Sequence, residues 1–95
     1  MRQKLIEKVI DKNGITNQLF IAVEECAELQ QAISKCYRNK ELIPTEVREN
    51  LIEEMADVQI CLEQLQVIFH ISDTEILCWK EAKENRLLTR EGLKE

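Results

Sequence analysis

Two glycines and one proline stand in this chain of 95 residues, at Gly14, Gly92 and Pro44. That scarcity constrains the fold more than any other feature, because tight hairpins draw on residues that tolerate positive φ or a preset turn. Between the breaks, apolar residues recur at steps of three and four, the period of a helix buried along one face. Leu5, Ile6, Val9 and Ile10 share one side of a short first helix, which Asn13-Gly14 closes in the manner of a left-handed C-terminal cap. Thr16 is placed to cap a second helix that reaches about Arg38, with a stripe of Leu19, Ala22, Cys26, Leu29, Ile33 and Cys36. Arg38 to Glu41 form a polar loop. Pro44-Thr45 opens a third helix, with Glu46 in the first turn where the helix dipole favours negative charge. Its stripe is Val47, Leu51, Val58, Cys61, Leu65 and Ile68. Ser72 and Glu75 have the spacing of a capping box and start a fourth helix, which continues to about Arg90 before the last residues fray. The pattern predicts an all-α fold: four helices on short connections, packed as antiparallel neighbours, with the second and third forming a central hairpin.

Residues 1–95 read as one thin domain, short enough that subunit association is the expected supplement to its core. The four cysteines, Cys26, Cys36, Cys61 and Cys78, are scattered, with only His70 as a nitrogen partner, so neither a disulfide framework nor a zinc site is indicated. Three of them fall on apolar faces, where a reduced thiol acts as a small hydrophobe, and a cytoplasmic location is expected. The charged start (Arg2, Lys4, Glu7, Lys8) has neither a signal-peptide core nor the length of a membrane span. A net charge of −5, with Lys and Arg interspersed among Glu, disfavours nucleic-acid binding.

Acidic residues are abundant, so their position decides their meaning. Glu46, Glu49, Glu81 and Glu84 read as solvent-facing, as charged residues generally are. Glu54 instead lies in the row Val47, Leu51, Glu54, Val58, Cys61, Leu65, the apolar face of the third helix, with Asp57 one step aside. On the second helix Glu25 and Glu28 flank one edge of the apolar stripe. Helices packed by these faces would bring four carboxylates into one cleft. Each pair at roughly 4 Å repels by about 1 to 4 kcal/mol depending on screening, and burial adds a desolvation cost. A hard divalent cation resolves that conflict, and an all-oxygen donor set favours Mg²⁺, Mn²⁺ or Ca²⁺. The competing reading makes Glu54 half of a buried salt bridge.

The segments Glu24-Glu25-Cys26-Ala27-Glu28-Leu29 and Glu53-Glu54-Met55-Ala56-Asp57-Val58 resemble the paired E-x-x-E and E-x-x-D motifs of the MazG-like all-α nucleoside triphosphate pyrophosphatases. The superfamily includes dimeric dUTPases and phosphoribosyl-ATP pyrophosphohydrolases. The resemblance spans roughly Thr16 to Arg90. It implies a four-helix MazG-like hairpin bundle completed by oligomerisation, as a homodimer or homotetramer. It further implies that Glu25, Glu28, Glu54 and Asp57 hold Mg²⁺, with Mn²⁺ as a substitute and Glu24 and Glu53 as accessory groups. The implied reaction is hydrolysis of a nucleoside triphosphate to monophosphate and pyrophosphate. Members of that family often carry a basic or aromatic residue upstream of the first motif; the stretch here is Gln18-Leu19-Phe20-Ile21, which leaves the nucleobase preference open.

On the fourth helix Trp79, Lys83, Arg86 and Arg90 form one narrow row, and Lys83 and Arg86 are the candidates to face bound phosphates. Asn85 fits the family pattern loosely. Trp79 reads as core or interface. His70 ends the third helix and is not assigned to catalysis. Glu28, at the rim of the cleft, is the candidate to accept the proton of an attacking water. Two other classes fit the same pattern: a helical module that binds a protein partner, and a nucleotide sensor without turnover.

Overall fold

The computed structural model describes residues 2–93, and within them the chain is entirely helical: α1 (Arg2–Asn13), α2 (Ile15–Arg38), α3 (Thr45–Phe69) and α4 (Asp73–Arg90). Lys94 and Glu95, part of the end expected to fray, lie outside the described residues. No described helix is long and apolar enough to cross a membrane.

The breaks fall at the expected residues, with two corrections. Gly14 carries the positive φ of 86°, but its ψ of 148° is extended rather than left-handed helical, a conformation open essentially to glycine. Its N–H donates to the Ile10 carbonyl at 2.7 Å, ending α1, and its carbonyl accepts from Gln18 N–H at 3.1 Å, starting α2. Gly14 therefore does the work assigned to Thr16, which lies inside α2. Pro44 precedes α3 as expected. The left-handed cap occurs instead at the end of α3, where His70 (φ 55°) sends its backbone N–H back to the last carbonyls. At α4 the capping box is complete: Glu75 N–H donates to Ser72 Oγ at 3.1 Å, and Ser72 N–H donates to Glu75 Oε2 at 2.8 Å.

α2 and α3 form the central hairpin, and α1 packs across both. The face α2 presents is not the one its large apolar residues suggest. Gln18, Ala22 and Ala32 are buried, while Ile33 and Cys26 are exposed. The packed row is Gln18, Ala22, Glu25, Leu29, Ala32, Cys36, rotated by about 50° from the expected stripe at 100° per residue. Close approach of two backbones selects small side chains, and Ala32 has no exposed surface at all. Ala32→Leu should therefore overpack the hairpin and lower unfolding free energy by about 1 to 3 kcal/mol. Lys35→Ala, one turn away and exposed, should change the same denaturant melt by less than about 0.5 kcal/mol.

α4 departs from the expected bundle. It packs on none of the other helices, and of its residues only Ala82 is even partly buried. Its tie to the rest is at its first turn, where Gln66 Nε2 donates to Asp73 Oδ1 at 2.8 Å. The chain is accordingly open, with a radius of gyration of 16.7 Å, against about 12 Å expected of a compact domain this long.

Candidate metal centre

The rotation of α2 puts Glu25 in the packed row, opposite the α3 row that contains Glu54. Asp57 follows Glu54 by one helical turn. One carboxylate oxygen from each of Glu25, Glu54 and Asp57 lies within 4.8 Å of the others, and all three residues are half-buried. Within these residues, Glu25 Oε2 and Glu54 Oε2 are shut off from solvent and have no hydrogen-bond partner among the described residues. Such atoms ordinarily find a donor or a cation, because an unpaired buried acceptor keeps its full desolvation cost.

No Lys or Arg supplies that compensation. Among the described residues the ion pairs are Arg2–Glu63 and Arg90–Glu91, neither of which includes a residue of the cluster. The salt-bridge alternative for Glu54 thus finds no partner among the described residues. Instead the carboxylates act on one another. Burial, then the charges of Glu28, Asp57 and Glu54, push the Glu25 carboxyl above its ordinary value. Burial, then Glu28, Asp57 and Glu53, do the same to Glu54. Burial, then the charges of Glu25, Cys26 and Asp57, also raise the Cys61 thiol, so that buried cysteine is an inert part of the core.

Of the four expected ligands, Glu25, Glu54 and Asp57 bring oxygens together, and Glu28 adjoins Glu54 on the exposed side. It is exposed, one turn beyond Glu25, close enough to Glu54 to act on its carboxyl yet outside the three-oxygen group. Glu24 and Glu53 are exposed as well, on the outer edges of their helices. Lys83, Arg86 and Asn85 are carried on α4, away from all of these. Gln18 is the residue the sequence reading passed over. It is 3% exposed, its Oε1 lacks a partner, and it occupies the same α2 row as Glu25, two turns earlier. That i, i+7 spacing was visible, but a polar residue at the start of a helix gives no sign of burial.

The oxygens suit a hard cation. Ligands of one octahedral Mg²⁺ at about 2.1 Å lie roughly 3 to 4 Å from each other, a modest contraction of the arrangement here. The larger surface depression lies elsewhere, between α1 and the α3–α4 corner. It shares no residue with the cluster, and its polar lining includes Arg2, Glu63, Gln66 and Asp73. The geometry thus defines a helical hairpin with an acidic centre between its two long helices. The chain matches no protein-family model, no curated protein and no solved structure with which it was compared.

Proposed function

We propose that this chain is a Mg²⁺-dependent nucleoside triphosphate pyrophosphohydrolase of the MazG-like all-α kind, working as a homodimer or homotetramer. The observation that carries the reading is the convergence of Glu25, Glu54 and Asp57 from facing helices, with two buried oxygens unpaired and, among the described residues, no basic side chain paired with them. These three would hold the cation, with Mn²⁺ as a substitute. Bound there, the metal would neutralise and orient phosphate oxygens. Glu28, exposed beside Glu54, is positioned to accept the proton of an attacking water. In the reaction water adds across the linkage between the α- and β-phosphates, that bond breaks, and monophosphate and pyrophosphate leave. Lys83 and Arg86 would steady the charge that accumulates on the pyrophosphate.

The test is a panel of ribo- and deoxyribonucleoside triphosphates incubated with Mg²⁺. Monophosphate and pyrophosphate should appear from at least one. Orthophosphate with a diphosphate would sink the assigned reaction. One observation favours a second class: the exposed apolar residues of α4 suit a module that binds a protein partner. Such a module would turn over nothing and ignore Mg²⁺, and a nucleotide sensor would respond to Mg²⁺ without releasing pyrophosphate.

A further inference from the structure

We propose that the uncharged face of the α2–α3 hairpin is the surface on which a second copy of this chain docks, and that Gln30 and Gln59 fix the register and the number of subunits in that assembly. The inference rests on the reading of the chain as a homo-oligomer and adds which face and which residues decide the assembly.

Three observations carry it. First, α2 and α3 each bear a second stripe that the fold leaves exposed. On α2 it is Val23, Cys26, Gln30, Ile33 and Tyr37, and on α3 it is Ile52, Met55, Gln59 and Leu62. The steps alternate between three and four residues, the seven-residue repeat of helices that pack side by side. The large apolar members are each between 47% and 70% exposed. Second, the two stripes form one surface. At 100° per residue, each lies about 100° round its helix from the row packed in the hairpin, in the same rotational sense. Because the two helices run antiparallel, equal turns bring both stripes to one side. No charged residue between Val23 and Tyr37, or between Ile52 and Leu62, falls within about 100° of its stripe. Glu28, Glu53 and Asp57 turn the other way, so the acidic centre stays clear of this contact.

Third, the face suits a copy of itself. The chain exposes 7923 Å², whereas a compact monomer of its mass exposes about 5,700 Å². The excess is more than twice the roughly 800 Å² that each partner contributes to a standard stable interface. An uncharged face offers no complement to a basic or acidic partner, whereas identical stripes of one spacing interlock about a two-fold axis. Gln30 and Gln59 occupy the same position of the repeat, one repeat after Val23 and Ile52. An amide in such a seam is tolerated only in the pairing that gives it a polar partner. A polar residue at that position thereby selects one register and one number of helices, at a cost in stability.

The experiment uses the full chain at micromolar concentration. Light scattering should give one mass, a multiple of the monomer's. Iodoacetamide should alkylate Cys26, exposed in the single protomer, at least about tenfold more slowly than Cys78 on α4, because the seam covers the first thiol and leaves the second open. The double variant Ile33→Lys, Leu62→Lys should fall to monomer and release Cys26 to the rate of Cys78. If circular dichroism shows that variant unfolded, alkylation of the wild-type chain decides by itself. The double variant Gln30→Leu, Gln59→Leu should melt about 5 °C or more above wild-type and give a mixture of masses in place of one. A monomeric wild-type rejects the homo-oligomer and this face together. An oligomer whose Cys26 reacts as fast as Cys78, or one that survives both lysines, rejects this face alone and leaves the homo-oligomer standing. A single unchanged mass in the glutamine variant overturns the role given to Gln30 and Gln59.

Discussion

Glu54→Gln should lower Mg²⁺-dependent turnover by at least about 100-fold, more than the loss usually seen when a group merely supporting a ligand is changed. It should do so without weakening the metal-free protein. Glu54 sits in the packed row of α3, with one oxygen buried and unpaired and its carboxyl pushed upward by burial and by Glu28. Its charge therefore opposes folding until something compensates it. The amide keeps the shape and removes that charge, so the metal-free melt should move up or stay. A structural salt bridge predicts the opposite, because stripping one partner from a buried pair costs about 3 to 5 kcal/mol. Glu49→Gln, exposed on the same helix, is the control and should leave both measurements unchanged. A large loss of stability in metal-free Glu54→Gln would reject the centre as described.

That expectation could be framed from the sequence because Glu54 breaks an otherwise apolar row, and a charge in such a row shows in the pattern. The helix order, the Pro44 start of α3 and the Ser72–Glu75 box were legible for the same reason: each is a local signal, complete within a few residues. Glu25 was harder to place. The sequence set it at the edge of a stripe because Ile33 and Cys26 outweigh Ala32 and Gln18 on any scale of apolarity. The structure centres it because helix–helix approach rewards small residues, and burial belongs to the pair of helices rather than to either one. Thr16 against Gly14 is a similar case. A hydroxyl suited to capping lost to the one residue that can hold the sharp turn between α1 and α2. The placement of α4 was illegible for a different reason. Its apolar residues are real, but nothing in a sequence states whether the face they form packs on its own chain or on another.

Saturating Mg²⁺ should raise the melting temperature by about 10 to 20 °C at neutral to mildly alkaline pH, and the rise should vanish on acidification. A ligand at about a hundred times its dissociation constant adds roughly 2.7 kcal/mol, and each kcal/mol moves a domain of this size by about 4 to 8 °C. The pH dependence follows from the raised carboxyls of Glu25 and Glu54, both above the ordinary value of 4.5. Between that value and the raised one, the folded chain binds more protons than the unfolded chain. Metal-free stability therefore falls as pH rises through the window and stays reduced above it. Below 4.5 both states are protonated and the penalty is gone, but so is the charge that holds a cation. The two effects run in opposite directions, so the melts with and without Mg²⁺ should converge near pH 4.5 and separate steadily above it. Glu25→Gln and Glu54→Gln should each flatten the metal-free slope and shrink the separation, while Glu49→Gln should do neither. A Mg²⁺ shift that is absent, or equally large at every pH, would mean that these carboxylates are not where the cation binds.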